Sequence, residues 1–253
     1  MIDTVISNGV EWESIHIDIP EEYMKHFDFI DLGAKEGKIK EYALNTFDGR
    51  QGLHIEIEEK YIKSMKESGI NCIQADVTNI SFPKNCVDFV ISTHTIEHLM
   101  NLDSVEKMID ISINAAKDFV YLTWPWFGSD NYLKELDLIL FPSSWNGHTT
   151  HVTPSDMKNI LNKFGVNYIL KAAPRILDSS HMAISPIGAS DPEAGIDGYG
   201  NLGMYKPIYG EKPMVIFDEP VYYETMCLIP LSDSVKRHNA EEWLNKQNWE
   251  TLN

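Results

Sequence analysis

The segment HTIEH, residues 94–98, places three side chains that can bind a proton or a metal within five positions. It follows an apolar run, FVI at residues 89–91, that is typical of a buried strand. If the segment opens a helix, the i, i+3, i+4 spacing puts His94, Glu97 and His98 on one face. Such a group can hold a divalent metal, or its carboxylate and imidazole can act as a general base.

A second histidine pair follows in WNGHTTHVTP, at His148 and His151. An alcohol has a pKa far above 7, so an enzyme that uses a substrate hydroxyl as a nucleophile needs a base or a metal to activate it. We therefore take His98, His151 and Glu97 as candidate catalytic residues. The alternative is that Glu97 and His98 only shape a pocket and that the later pair belongs to a loop.

Short apolar strands alternate with amphipathic helices over residues 27–122. FDFIDLG, GLHIEIE, INCIQAD, VDFVIST and DFVYLT have strand patterns, and the segments between most of them have helical spacing. This alternation predicts an α/β fold with a mostly parallel sheet covered on both faces.

The pattern changes after the fifth strand. Residues 124–150 are rich in aromatics, and residues 174–212 are rich in Gly, Pro, Ser and Asp. Loops of this length are usually lids or binding loops, so we predict cap or lid elements within both ranges of a single domain spanning 1–253. Residues 153–165 have the pattern of a capped helix. MVIFDEP and YYETMCLIPL predict a pair of strands.

The first three predicted strands each end in glycine or acidic residues that could bind a ligand. Ligands of open α/β sheets bind beyond the carboxyl ends of the strands. There the chain has a glycine turn, an acid suited to ribose hydroxyls and an acid suited to an exocyclic amino group; they are Asp31, Gly33, Gly37, Glu56 and Asp76. The G-x-G-x-x-G pattern of nicotinamide-dependent enzymes is absent, although a nucleotide-binding oxidoreductase of related topology remains an alternative.

DLGAKEG, HIE, QADV and VDFVISTHTIEHL resemble the class I S-adenosylmethionine-dependent methyltransferases over roughly residues 27–125. The resemblance implies S-adenosyl-L-methionine as cofactor and a doubly wound, mostly parallel, seven-stranded Rossmann-like sheet with a C-terminal antiparallel strand and loop-rich cap insertions. It also implies cofactor-binding residues. Gly33 and Gly37 would lie at the methionine part, Glu56 at the ribose, and Asp76 with Val77 at the adenine. Asp31 is a further cofactor-binding candidate. Lys35 departs from the family, which often has glycine there.

Two subfamilies have a Glu-x-x-Glu-His metal motif at the position of HTIEH: the small-RNA 3′-terminal ribose 2′-O-methyltransferases and the ubiquinone-pathway catechol O-methyltransferases. By this resemblance Glu97, His98 and His151 are metal ligands, and His94 stands in for the first glutamate. Imidazole in place of a carboxylate shifts the preference from Mg²⁺ toward Mn²⁺, Fe²⁺, Co²⁺, Ni²⁺ or Zn²⁺.

The composition limits the class of molecule that could be the methyl acceptor. The formal net charge is −17, which disfavours a nucleic-acid substrate. No run of 18 apolar residues appears, so we expect no membrane span, and we expect a cytoplasmic protein with reduced cysteines. We predict O-methylation of a small hydroxyl or diol acceptor, a sugar or nucleotide-linked sugar. Alternatives are an RNA ribose 2′-O-methyltransferase and a non-catalytic S-adenosylmethionine-binding partner. The oligomeric state is left open.

Overall fold

The structure, a computed structural model, describes residues 2–7, 10–187 and 213–252. The strands are β1 (Ile2–Ser7), β2 (Val10–Ile15), β3 (Ile17–Asp18), β4 (Phe29–Leu32), β5 (Gly52–Glu56), β6 (Cys72–Gln74), β7 (Ile80–Ser81), β8 (Val87–Thr93), β9 (Ala116–Pro125), β10 (Leu138–Leu140), β11 (Ile169–Asp178), β12 (Ile184–Pro186), β13 (Ile216–Pro230) and β14 (Glu250–Thr251). The helices are α1 (Glu21–Met24), α2 (Ile39–Phe47), α3 (Glu59–Glu67), α4 (Leu102–Ala115), α5 (Asp130–Glu135), α6 (Phe141–Ser144), α7 (Pro154–Phe164) and α8 (Val235–Lys246), with a single 3₁₀ turn at Ile96–His98.

Eight strands form the central sheet, in the order β14-β11-β13-β9-β8-β4-β5-β6. The five strands from β9 to β6 are parallel, whereas β13 runs antiparallel to both β9 and β11. The chain adds β5 and β6 on one side of β4 and then returns to add β8 on the other. This reversal of direction is the position at which open α/β sheets bind their ligands.

Both faces of the sheet are buried, which explains the nearly continuous apolar runs of its strands. On one face three phenylalanines from adjacent strands stack in a row: the rings of Phe29 and Phe89 are 5.2 Å apart, and those of Phe89 and Phe119 are 4.9 Å apart. The opposite face packs Leu32 and Val90, among others, in the largest apolar cluster. The strands therefore cannot shift in register without exposing one of these layers.

The predicted helix at residues 153–165 is confirmed as α7. The side chain of Thr153 accepts from the backbone N–H of Asp156, and the Asp156 carboxylate accepts from the backbone N–H of Thr153. Pro154 occupies the first turn, and Gly165 ends the helix with φ +64°. This capping fixes the segment that leads out of the second histidine pair.

The mostly parallel α/β sheet is confirmed, but the predicted strand count was one too low. The extra strand is β14, two residues that pair with β11 and have too little apolar pattern to be recognised. The predicted strand pair MVIFDEP and YYETMCLIPL was wrong, because residues 216–230 form the single strand β13.

The two predicted cap ranges are only partly irregular. Residues 124–125 end β9, and residues 130–144 contain α5, β10 and α6. Residues 174–178 belong to β11, and 184–186 form β12, which pairs antiparallel with β10. The two ranges are thus joined by a small two-stranded sheet. The rest of the predicted lid, residues 188–212, lies outside the described residues. In the described part of the chain, none of the helices has both the length and the apolar character needed to cross a membrane.

Candidate active site

The loop after β4 lies at the point where the strand order reverses. Gly33 has φ +78°, and a Cβ there would lie 2.2 Å from Oγ1 of Thr95. The Thr95 hydroxyl donates to the carbonyl of Leu32 at 3.0 Å. Gly37 has φ +69°, and a Cβ there would lie 3.1 Å from Sδ of Met65. Both glycines are therefore required by conformation and by close packing, and the first ties this loop to the HTIEH segment.

Glu56, at the end of β5, holds the same loop from the other side. One carboxylate oxygen accepts the backbone N–H of Lys35 at 2.7 Å, and the other accepts those of Ile57 and Glu58 at 2.8 and 2.9 Å. Lys35 has φ +47°, the left-handed conformation that glycine adopts without cost. A carboxylate offers about four acceptor positions, so three of them are in use and about one is left for a ribose hydroxyl.

Asp76 follows β6 and has one buried oxygen to spare. Its Oδ1 accepts from the backbone N–H and the hydroxyl of Thr78, both at 2.8 Å. Its Oδ2 is buried and has no hydrogen-bond partner. An unpaired buried carboxylate oxygen is costly, and an exocyclic amino group would satisfy it. The adjacent Val77 is also buried, so the pair fits the edge and the face of an adenine.

Asp31 is placed differently from the other predicted cofactor residues. Its carboxylate lies 2.9 Å from Nδ1 of His54 on β5, and both side chains are almost fully buried. Burial raises the pKa of Asp31 despite the opposing effect of His54. Its observed contact thus joins β4 to β5, and a direct contact with the cofactor stays a prediction.

Beyond β8 the chain turns sharply into the HTIEH segment. His94 has φ +52°, and the residues after it form the 3₁₀ turn rather than a longer helix. Glu97 is 0% exposed, and neither of its carboxylate oxygens has a hydrogen-bond partner in the described structure. A buried carboxylate without donors is expected only where a cation or a protonated group compensates it.

Two histidines place ring nitrogen atoms beside this carboxylate. His98 donates from Nδ1 to the carbonyl of Gly147 at 2.8 Å, and His148 donates from Nδ1 to the carbonyl of Pro142 at 2.7 Å. These bonds fix both tautomers and leave each Nε2 with its lone pair, as in histidines that bind metals. One ligand atom from each of Glu97, His98 and His148 lies within 4.8 Å of the others.

His94 and His148 lie on two sides of Glu97 in opposite electrostatic states. Nδ1 of His94 is 3.3 Å from Oε1 of Glu97, and its Nε2 is 2.8 Å from Glu224 on β13. Burial acts to lower the pKa of His94, but the nearby carboxylates of Glu224 and Glu97 raise it to about 10. Burial lowers the pKa of His148 to about 4, and the nearby His98 acts in the same direction. His94 is thus a cation at neutral pH and His148 is neutral.

The structure brings together two of the four predicted metal ligands, Glu97 and His98, and adds His148. His151 lies outside this group and contacts Asp130 instead. The sequence could not choose between the two histidines of HTTH, because the choice depends on the path of the loop. His94 turns both ring nitrogens toward carboxylates, so its role as a ligand stays a prediction. Glu224 was missed, since only the pairing of β13 beside β9 reveals it.

Most aromatics of the 124–150 segment belong to the core. Trp124 is 0% exposed and donates to the carbonyl of Val152, while Trp126 and Phe127 are also buried. Trp145 is half-buried, and its ring lies 4.4 Å from that of His148 and 5.2 Å from that of His98. It is therefore the aromatic ring of this segment best placed to stack on an acceptor.

Comparison with known proteins gives a family match for part of the chain. Residues 30–110 match the protein family described as "Methyltransferase domain". No curated protein sequence matches the chain. Among solved structures, the fold is similar to a SAM-dependent methyltransferase from Archaeoglobus fulgidus, with a TM-score of 0.51 and 15% identity over 83% of this chain and 90% of that one.

Two further structures share the fold. The YcgJ protein from Bacillus subtilis has a TM-score of 0.52 and 12% identity, with 83% of this chain and 94% of that one covered. A putative methyltransferase from Bacillus halodurans has a TM-score of 0.51 and 12% identity, with 81% and 91% covered. Residues 30–110 thus match a methyltransferase domain, and the chain shares the fold of these solved structures over most of its length.

Proposed function

We propose that this methyltransferase acts on a hydroxyl of a small polar diol, a sugar or a nucleotide-linked sugar, with the help of a divalent transition metal. The observation that carries the proposal is the group formed by Glu97, His98 and His148. Glu97 and His98 lie directly after β8, and Thr95 of the same segment packs on Gly33 of the cofactor loop. An acceptor held at this group would therefore lie next to the cofactor.

The cofactor site fits S-adenosylmethionine, which supplies an electrophilic methyl group on a sulfonium sulfur. Glu56 retains about one acceptor position for a ribose hydroxyl, and the unpaired Oδ2 of Asp76 can accept from the adenine amino group. Gly33 and Gly37 keep the loop free of side chains at the methionine part. These residues bind and orient the cofactor and leave the activation of the acceptor to the other side of the cleft.

The donor set of the second group suits a transition metal. Two imidazoles and one carboxylate that leave open positions are typical of Fe²⁺, Mn²⁺, Co²⁺, Ni²⁺ or Zn²⁺ sites rather than of Mg²⁺ sites. A bound cation would offset the buried charge of Glu97, bind a vicinal diol as a chelate and lower the pKa of one hydroxyl. Here Glu97, His98 and His148 fix the position of the acceptor.

The surroundings of this group favour a small acceptor. The net charge of −17 opposes binding of a polyanion such as RNA. The half-buried ring of Trp145 beside His148 and His98 can stack on the apolar face of a sugar. A sugar diol uses both features, since its hydroxyls and its ring face point in different directions.

Calorimetric titration with Mn²⁺ tests the metal site. We expect the wild-type protein to bind one equivalent, and Glu97→Gln, His98→Ala and His148→Ala to lose that binding. His151→Ala is the matched control, because it removes the other histidine of the same motif and should leave Mn²⁺ affinity unchanged. No binding by the wild-type protein, or loss only in the control, would contradict the assignment.

Methyl transfer from S-adenosylmethionine to a panel of sugars and nucleotide-linked sugars tests the acceptor class. Each diol is paired with its monodeoxy analogue, which keeps one hydroxyl but cannot chelate. We expect transfer to the diol only, abolished by EDTA and restored better by Mn²⁺ than by Mg²⁺. Full activity in EDTA, or equal rates with the deoxy analogues, would overturn metal-assisted transfer to a diol.

A further inference from the structure

His151, which lies outside the metal group, is held in a different arrangement. Its Nδ1 lies 2.9 Å from Oδ2 of Asp130, at the start of α5. The hydroxyl of Ser143, on α6, donates to Oδ1 of the same carboxylate at 2.6 Å. Asp130 is thus fixed by two side chains from separate segments. Because a carboxylate only accepts, the neutral His151 ring must carry its proton on Nδ1 and keep a lone pair on Nε2.

Phe127 determines where this imidazole lies. The rings of Phe127 and His151 are stacked, with centroids 4.3 Å apart and planes inclined by 10°. The edge of Phe127 faces His148, whose ring centroid is 6.0 Å away. One aromatic ring therefore separates His151 from the proposed metal group. The side chain of His151 is 37% exposed, so its free nitrogen can be reached by a bound acceptor.

We propose that His151 is the general base for the acceptor hydroxyl and that Asp130 is the residue that positions it. The inference rests on the proposed transfer to oxygen but not on the metal. Nε2 of His151 takes the proton as the acceptor O–H bond breaks and the oxygen forms its bond to the methyl carbon. The electron pair of the broken carbon–sulfur bond stays on sulfur, and His151 then releases the proton to water.

The arrangement favours a base over a structural histidine. A carboxylate that accepts the Nδ1–H of histidine stabilises the imidazolium that forms when Nε2 takes a proton. The ring is also fixed in direction on two sides, by the Phe127 face and by Asp130, while its remaining nitrogen has no described partner. A histidine that served only packing would not need an oriented carboxylate at partial exposure.

The tautomer of His151 is the first test, and it needs no acceptor. Ring ¹⁵N NMR of the wild-type protein, with His151→Gln to assign the signals, should show a proton on Nδ1 and a bare Nε2 at a pH where the ring is neutral. Asp130→Asn should reduce the preference for this tautomer. A proton found on Nε2 of the neutral ring would overturn the proposal, because that nitrogen could not accept another.

The second test measures kinetics with a diol that the acceptor panel identifies as a substrate. His151→Ala should lower kcat by about 10²-fold or more with little change in KM, and added imidazole should restore part of it. Asp130→Asn should lower kcat less, and Ser143→Ala less again. Both His151→Ala and Asp130→Asn should keep the wild-type affinities for Mn²⁺ and S-adenosylmethionine.

The outcomes separate the two proposals. Wild-type kcat in His151→Ala, or a loss that imidazole cannot rescue, would overturn the role of His151 while the metal site stands. Activity that persists in EDTA but is lost in His151→Ala and rescued by imidazole would support the base and reject the metal. An exposed histidine far from the site, His238, provides the control variant, and His238→Ala should behave as wild type.

Discussion

The cleft has a cofactor half, which contains Gly33, Glu56 and Asp76, and an acceptor half, which contains Glu97, His98 and His148. The two halves differ in how their buried carboxylates are hydrogen-bonded. In the cofactor half, the Glu56 carboxylate takes three backbone N–H groups, two of them from the residues directly after it. In the acceptor half, Glu97 is fully buried and neither oxygen has a hydrogen-bond partner. Its neighbour His98 is oriented by Gly147, 49 residues away in the sequence.

The two halves therefore differ in the contacts that hold them in shape. The loop after β4 is held in shape by backbone N–H bonds to Ile55 and Glu56 on the adjacent strand β5, so it is preformed before any ligand binds. The acceptor half joins β8, the 145–151 loop and β13, and the charge of Glu97 at its centre faces the cationic ring of His94 on one side and the neutral ring of His148 on the other. We therefore expect substitutions in the first half to act through backbone geometry and those in the second through charge.

The largest effect should come from the contact that joins the halves, Gly33 on Thr95. Gly33→Ala adds a methyl group 2.2 Å from the Thr95 hydroxyl oxygen in a left-handed conformation. We expect a loss of about 2–5 kcal/mol in the free energy of unfolding, the sum of strain and overpacking, and loss of cofactor binding. Chemical denaturation and calorimetry measure the two.

Thr95→Ala distinguishes the two causes, because it removes the two atoms nearest to the added methyl group. In the double variant, part of the lost stability should return and the backbone strain should remain. If Gly33→Ala alone is as stable as wild type, the close contact between the halves does not exist in solution.

The charge state of the acceptor half predicts an unusual pH dependence. The pKa of His148 is about 4 in the folded protein against an ordinary value of 6.5. As pH falls from about 6.5 to 4, the unfolded chain binds a proton that the folded protein does not, so stability should fall by at most about 3 kcal/mol. Denaturation midpoints of wild type and His148→Gln across this range measure it, and the variant should lose less stability.

His94 should show the opposite dependence. Its folded pKa of about 10 lies above the ordinary value, so its contribution is fully present below pH 6.5 and is lost as pH rises through 10. His94→Gln should therefore lose more stability near neutral pH than near pH 10. If stability changes with pH to the same extent in His148→Gln and in His94→Gln, the histidines on either side of Glu97 do not differ in charge.

Glu56→Ala tests whether the cofactor half depends on one carboxylate. Hydrogen bonds to a charged acceptor contribute roughly 1.5–3 kcal/mol, so S-adenosylmethionine affinity should fall by one to two orders of magnitude. Glu58→Ala is the control, because its side chain pairs with Lys60 and does not hold the loop. Unchanged affinity in Glu56→Ala would move the ribose assignment to Glu58.

The smallest effect concerns Lys35, which adopts φ +47° where glycine is unstrained. Lys35→Gly should raise the free energy of unfolding by about 1 kcal/mol, since the strain is relieved at the cost of a more flexible unfolded chain. Lys38→Gly is the matched control with φ −66°, and it should destabilise the protein. Equal effects at the two lysines would show that the loop is not strained.

The sequence predicted more of the framework around the cofactor half than around the acceptor half. The order of parallel strands and helices, α7 and its caps, and the strand ends that carry Gly33, Glu56 and Asp76 all follow from short-range patterns. Asp31 was grouped with them because its strand position is the same, but the residue beside it on β5 is a histidine, and register alone pairs the two.

The side-chain contacts of the acceptor half could not be predicted, because they depend on long-range packing. His148 and His151 are three residues apart in a loop, and their different partners, the carbonyl of Pro142 for His148 and the carboxylate of Asp130 for His151, orient the two rings. Glu224 comes from an antiparallel strand whose neighbours cannot be read from spacing. Asp130 was not singled out by the sequence, because only the fold brings it to His151.

The edges of the central sheet have a consequence for solution behaviour. In the described residues one edge is β6, with three residues; at the other edge β14 pairs with Lys171 and Ala172 of β11, and Pro174 of β11 has no N–H to offer. A short edge offers few free N–H and C=O groups to another chain, so it is a poor template for intermolecular pairing. Together with a net charge of −17, which makes copies repel each other, this arrangement should keep the protein dispersed at high concentration and low salt.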